Sequence, residues 1–225
     1  MSDERFIFLG IDPGSANPGV AAFGSVIPTI FRHLSYPREF SGVVGDVDRI
    51  GTLGFGVCSV FNSLGIDRVG LANKDYSLFV TASIEGPAFN RFSRGTIETG
   101  MVHLKVYETI KSFFTSLTGN VFVNVITVPP KVLKKYVSGS GSSDKRTMMR
   151  TIRDRWNLYD HRDLSQDVCE AYALSRLGYD LVSGFIDHAD VCSYASIDNG
   201  VYVEVVYNDI LRSDCVLGFD FDVTS

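Results

Sequence analysis

An α/β domain is predicted, a mixed five-stranded sheet flanked by helices, with a small C-terminal β appendage. Three observations lead there. Five short apolar runs end at glycine, proline or polar turn signals, as buried strands do. Longer segments with apolar residues at helical spacing separate the third, fourth and fifth runs, which gives a mixed α/β order. From residue 131 onward the pattern is helical until about Val182. The chain has 225 residues, enough for one domain with a full core.

Each element has its own signal. Phe6–Asp12 (FIFLGID) is an apolar run stopped by Pro13-Gly14-Ser15 and reads as a buried strand. Gly19–Ser25 and Ile27–Leu34 read as two further strands joined by tight turns into an antiparallel meander. Residues 37–45 read as irregular. Ile50, Leu53, Val57, Val60, Phe61 and Leu64 then recur at helical spacing, in spite of three intervening glycines. Leu78–Glu85 is the fourth strand, and Gly95–Leu117 carries the longest helical pattern. Val121–Val128 is the fifth strand, halted by Pro129-Pro130. A short helix over Lys131–Val137 leads to a flexible stretch, Ser138–Asp144, then a helix to about Trp156 and a last core helix over Leu164–Val182. The expected division is a folded domain over 1–182 and an acidic appendage over 183–225.

Charge is distributed unevenly. The net charge is −5, yet residues 131–155 hold eight basic side chains against Asp144 and Asp154, whereas residues 180–225 hold nine acids and only Arg212. A concentrated basic segment in an acidic chain fits a phosphate-binding surface, and equally a solvated helix face. No apolar run reaches the length of a membrane span and the first residues are charged, so a cytoplasmic protein without membrane contact is expected. Cys58, Cys169, Cys192 and Cys215 are scattered with no C-x-x-C pair, so reduced thiols are expected in place of zinc or disulfides.

Four acids are candidates for a site. Asp12 and Glu85 each end a hydrophobic strand, where an unpaired charge is costly. Asp167 and Glu170 lie three apart on the last helix and so project from one face, among small and apolar neighbours. Carboxylates gathered from two strand ends and one helix repel one another, and divalent cations relieve that repulsion. Hard oxygen donors favour Mg²⁺ or Mn²⁺, and two such ions roughly 3.5–4 Å apart suit phosphodiester hydrolysis. Singly, each acid is better explained as a turn former, a strand-edge residue or a helix-surface charge; for all four in this order that explanation is weaker. His161, six residues before Asp167, could assist at such a site or be a solvated loop histidine. His33, His103 and His188 lack ligand spacing.

These motifs resemble those of RuvC-type Holliday junction resolvases, members of the RNase H-like superfamily. Gly10-Ile11-Asp12-Pro13-Gly14-Ser15 with Gly19 is similar to the family's first-strand signature. Glu85 before aromatics and a helix is similar to the second motif. Residues 133–145, running from Leu133 through the glycine–serine loop to Lys145, resemble the lysine–glycine loop–lysine segment, and Asp167–Leu174 resembles the final D-x-x-D-A helix. The likeness spans roughly residues 5–180.

What it implies is an RNase H-like fold in which Asp12, Glu85, Asp167 and Glu170 hold two Mg²⁺ ions, with Mn²⁺ able to substitute. Lys145 would join them in catalysis, and Lys134, Lys135, Lys145 and Arg146 would contact DNA. Phe89 falls near the place of a junction-wedging aromatic, one residue late, so Phe92 competes for that role. The chain departs from the family in its glutamate at position 170, its longer 37–75 segment and its acidic tail, as bacteriophage members do. The implied protein is a homodimeric endonuclease that resolves four-way junctions or other branched DNA by paired nicks, in the host cytoplasm if viral. Two alternatives stand beside it: cleavage of RNA–DNA hybrids or flaps, and a non-catalytic DNA-binding or virion-associated protein of the same fold. A sugar-kinase or actin-like ATPase would need a second such domain and phosphate-binding turn, which the chain lacks.

Overall fold

The computed structural model describes residues 3–14, 18–25, 27–34, 42–86, 94–161 and 164–186. Along the chain run β1 (Asp3–Asp12), β2 (Gly19–Gly24), β3 (Ile30–His33), α1 (Gly42–Asn62), α2 (Arg68–Ala72), β4 (Tyr76–Glu85), α3 (Arg94–Thr115), β5 (Asn120–Val128), α4 (Pro130–Ser138), α5 (Lys145–Trp156) and α6 (Gln166–Val182). A 3₁₀ turn, Leu158–Asp160, joins the last two helices. The five strands form one mixed sheet in the order β3-β2-β1-β4-β5. The β1–β2 and β2–β3 pairs are antiparallel, whereas β1–β4 and β4–β5 are parallel. The mixed α/β class is therefore the one expected, with five strands.

Several boundaries differ from the expectation. The third strand begins at Ile30, not Ile27, because Pro28 has no N–H to give a ladder and Ile27 is buried outside the sheet. Helix α1 starts at Gly42, inside the stretch read as irregular. Its glycines lower helix propensity, but Leu53, Val57, Val60 and Phe61 bury completely on one stripe, and packing outweighs propensity. Helix α2 was not anticipated; Asp67 caps it by accepting from the Gly70 N–H, a local signal too short to show as periodicity. The expected C-terminal appendage, with Cys192 and Cys215, falls mostly outside the described residues. Among those described, no helix is long and apolar enough to cross a membrane, and Cys58 and Cys169 are free thiols.

The period-two alternation of the strands sorts side chains into two cores. Ile7, Leu9, Ile11, Leu78, Val80, Ala82 and Ile84 face the layer of α1 and α3, meeting Phe61, Val106, Ile110 and Phe114. On the other face Ala21, Ile126 and Val128 meet α4, α5 and α6. Helix α6 is the main cover there; Leu174, Leu177 and Leu181 are buried, each contributing roughly 1.5–3 kcal/mol.

Two glycines decide how close α6 comes. A Cβ on Gly10 would sit 1.7 Å from the Ala171 carbonyl oxygen, and one on Gly19 would sit 2.2 Å from that of Asp167. The helix backbone thus rests directly on β1 and β2 where no side chain intervenes. This contact brings the first turns of α6 against the end of β1, beside Asp12.

Candidate active site

Asp12 is the last residue of β1 and is 3% exposed. The Gly14 N–H donates to its Oδ1 at 3.0 Å, so the turn after the strand holds the carboxyl in place. Glu85 ends the adjacent parallel strand β4, and the ladder continues one step past it through the Gly86 N–H to the Val128 carbonyl at 2.7 Å. Parallel pairing brings the two strand ends level, which is why two acids far apart in sequence become neighbours. Glu170 comes from the first turns of α6, whose N-cap Ser165 accepts from the Val168 N–H.

Asp12, Glu85 and Glu170 each present one carboxylate oxygen such that all three lie within 4.8 Å of one another. Asp167 is not part of that tight trio, although its charge reaches Asp12. Burial, reinforced by the negative charges of Glu85, Glu170 and Asp167, pushes the Asp12 carboxyl up to about 9. Burial and the Glu170 charge push Glu85 up to about 7, while a hydrogen bond from Asp12 and the positive charges of Lys134 and Lys145 pull it back down. Asp12 therefore keeps a proton at neutral pH and shares it with Glu85, as adjacent buried acids do. Three carboxylates without a thiol or imidazole make a donor set for a hard divalent cation, which would offset the repulsion that helps to raise Asp12 and Glu85.

The two lysines that act on Glu85 come from the ends of one connection. Helix α4 carries Lys134 and ends at Gly139, whose φ of 79° is a left-handed cap that glycine adopts without strain. Lys145 opens α5, where Asp144 caps the helix by accepting from the Thr147 N–H at 2.8 Å. The Ser138–Asp144 stretch expected to be flexible is instead tied by hydroxyls. Ser138 Oγ donates to the Lys134 carbonyl at 2.7 Å and lies 2.6 Å from Ser143 Oγ.

The basic segment divides by role. Lys131, Lys145, Arg146 and Arg150 are exposed, and Lys134 and Lys135 are half-buried. Arg153 donates to the Leu164 carbonyl at 3.1 Å. Arg155 donates to the Tyr136 carbonyl at 2.7 Å, pairs with Asp180 at 4.0 Å and lies over the Tyr136 and Trp156 rings. These last two arginines fasten α5 to its neighbours, so the local positive charge overstates the surface offered to a polyanion.

His161 is exposed and packs on the Phe31 ring, centroids 4.9 Å apart, outside the acidic trio. Phe89 and Phe92 lie outside the described residues. One site residue escaped the sequence reading: Gln166, whose Nε2 donates to Glu170 Oε1 at 2.8 Å. Its only signal was the four-residue spacing from Glu170.

Neither a protein-family model nor a curated protein matches the sequence. Solved structures do. RuvC of Thermus thermophilus in complex with a Holliday junction substrate aligns with a TM-score of 0.52 at 13% identity, over 76% of this chain and 90% of that one. A second Thermus thermophilus RuvC structure aligns at 14% identity with a TM-score of 0.49, over 75% and 90%. With the strand order and the flanking helices, the alignment establishes that the chain has the RNase H-like fold of RuvC.

Proposed function

We propose that this chain is a divalent-metal-dependent endodeoxyribonuclease that resolves Holliday junctions or other branched DNA by paired nicks, acting as a homodimer. The observation that carries the reading is the buried trio of Asp12, Glu85 and Glu170, flanked by Lys134 and Lys145. A solvated acidic face would not bury Asp12 to 3% exposure, nor have lysines from one pinned connection acting on its strand-end neighbour.

The donor set fits Mg²⁺, with Mn²⁺ as a substitute; Asp12, Glu85 and Glu170 would hold the ions, with Asp167 as a further ligand. When bound, such ions supply the Lewis-acid charge that phosphodiester hydrolysis needs. The chain's own residues do the rest. The Gly14 amide and the end of β1 orient Asp12, and the Asp12–Glu85 pair would have to give up its proton to hold a cation. Lys134 and Lys145 attract the phosphate backbone toward Glu85, and Lys145 opposes charge that builds up near the scissile bond. Half-buried Lys135 and the exposed Arg146, Lys131 and Arg150 extend that attraction along DNA. A junction as substrate is supported by the same fold in RuvC bound to a Holliday junction. A two-fold junction cut by paired nicks calls for two aligned sites, hence a homodimer.

The test is cleavage of a synthetic four-way junction, duplex, flap and RNA–DNA hybrid, in Mg²⁺ and in EDTA, by wild type and Asp12→Asn. Metal-dependent cutting of the junction by wild type alone is expected. No metal-dependent cutting of any substrate would end the enzyme reading, and a preference for the hybrid would replace the junction with RNA–DNA.

A further inference from the structure

Glu170 differs from Asp12 in having one more methylene, so its carboxylate sweeps a wider arc unless something holds it. Gln166 does. It lies one helical turn earlier on α6, and its Nε2 donates to Glu170 Oε1 at 2.8 Å, both side chains being half-buried. The amide holds the Oε1 of a carboxylate that also offers one oxygen to the cluster with Asp12 and Glu85. A glutamine–glutamate pair four apart on a helix is ordinary on a surface, where it adds little. Here the acceptor is also one of the three carboxylates that converge within 4.8 Å. Position 166 directly follows the N-cap Ser165, so Gln166 starts from backbone that is already held.

We propose that Gln166 is the positioning residue for Glu170, fixing the longer carboxylate where a divalent cation can use it. The inference rests on the metal-site reading above. Outer partners that orient a metal-binding side chain raise cation affinity without touching the ion. Without a carboxylate at position 170 Gln166 has nothing there to hold, so any effect of Gln166 on the cation must pass through Glu170.

The test is Mn²⁺ binding to the full chain by isothermal titration, together with melting of the metal-free proteins as a check on folding. Gln166→Ala should weaken Mn²⁺ binding about tenfold, the lower end of what such partners contribute, while its metal-free melting stays near that of wild type. In a Glu170→Ala background, where Asp12, Glu85 and Asp167 are left to bind, the same Gln166→Ala change should have no further effect on Mn²⁺ binding. A simple structural role would not produce that loss of coupling. Undiminished Mn²⁺ affinity in Gln166→Ala, with Asp12→Asn losing affinity, overturns the positioning role and leaves the metal site standing. An equal loss from Gln166→Ala in both backgrounds also overturns it, because the effect would not pass through Glu170. Failure of wild type itself to bind Mn²⁺ overturns the metal reading, and this inference with it.

Discussion

Replacing Asp12 with asparagine should stabilise the metal-free protein, although it removes a residue of the proposed active site. The reasoning starts from its carboxyl, raised to about 9 by burial and by the negative charges of Glu85, Glu170 and Asp167. The unfolded chain holds this group near 3.8. A raised carboxyl means the folded state binds the proton more tightly, so its stability falls as pH rises from about 4 to about 9. At pH 7 the folded protein keeps a proton that the unfolded chain has released, at a cost of about 4 kcal/mol. Asparagine has the same shape, can still accept from the Gly14 N–H, and carries no such cost. Part of the gain is offset by the desolvation of its amide, so a net gain of about 2–4 kcal/mol is expected. For a chain of this size that is a rise in melting temperature on the order of 10 °C. Thermal melts in EDTA at pH 5, 7 and 9 read it directly: the advantage of Asp12→Asn should grow with pH. Adding Mg²⁺ or Mn²⁺ should raise the melting temperature of wild type and close the gap. If Asp12→Asn melts at or below wild type at every pH in EDTA, the account of a mutually repelling buried cluster is wrong.

Four further outcomes follow from the same geometry. Glu85→Gln should also stabilise the metal-free protein, by a smaller amount that grows from about pH 4.5 to about 7 and holds above it, and should abolish metal-dependent cleavage; parallel wild-type and variant melts between pH 5 and 7 would count against it. Lys134→Ala and Lys145→Ala should each weaken DNA binding across sequences and reduce the slope of log affinity against log salt by about 1; an unchanged slope in filter-binding titrations would remove that lysine from the DNA surface. Gly10→Ala drives a Cβ into the Ala171 carbonyl and should cost at least about 3 kcal/mol, seen as a large drop in urea midpoint; a wild-type midpoint would show that α6 can retreat from the sheet. His161→Ala should leave cleavage within about twofold of wild type, since the ring packs on Phe31 outside the trio; a loss beyond tenfold would return His161 to the chemistry.

Much of this was readable along the chain because strands and helices impose periods that side chains must follow. The apolar runs Phe6–Asp12 and Val121–Val128, each closed by a turn signal, and the helical pattern over Leu164–Val182 put each element near its observed place. The sequence by itself also determined which acids end strands, since a charge closing an apolar run needs a reason. Where local and tertiary demands competed, tertiary packing prevailed. Glycines argued against α1 starting as early as Gly42, yet the buried stripe holds it. Serines and glycines argued for a loose 138–144 connection, yet their hydroxyls close on the end of α4. The composition of 131–155 could not reveal that Arg153 and Arg155 hold helices together.

Only the tertiary structure decided which carboxylates act together. Parallel pairing levels Asp12 with Glu85, and the bare backbone at Gly10 and Gly19 lets α6 set Glu170 beside them while Asp167 stays outside the tight trio. That outcome depends on distances of an ångström or two between elements more than 70 residues apart in sequence. No local period encodes such distances; the close fit of a helix on a sheet creates them, and with them the raised carboxyl of Asp12.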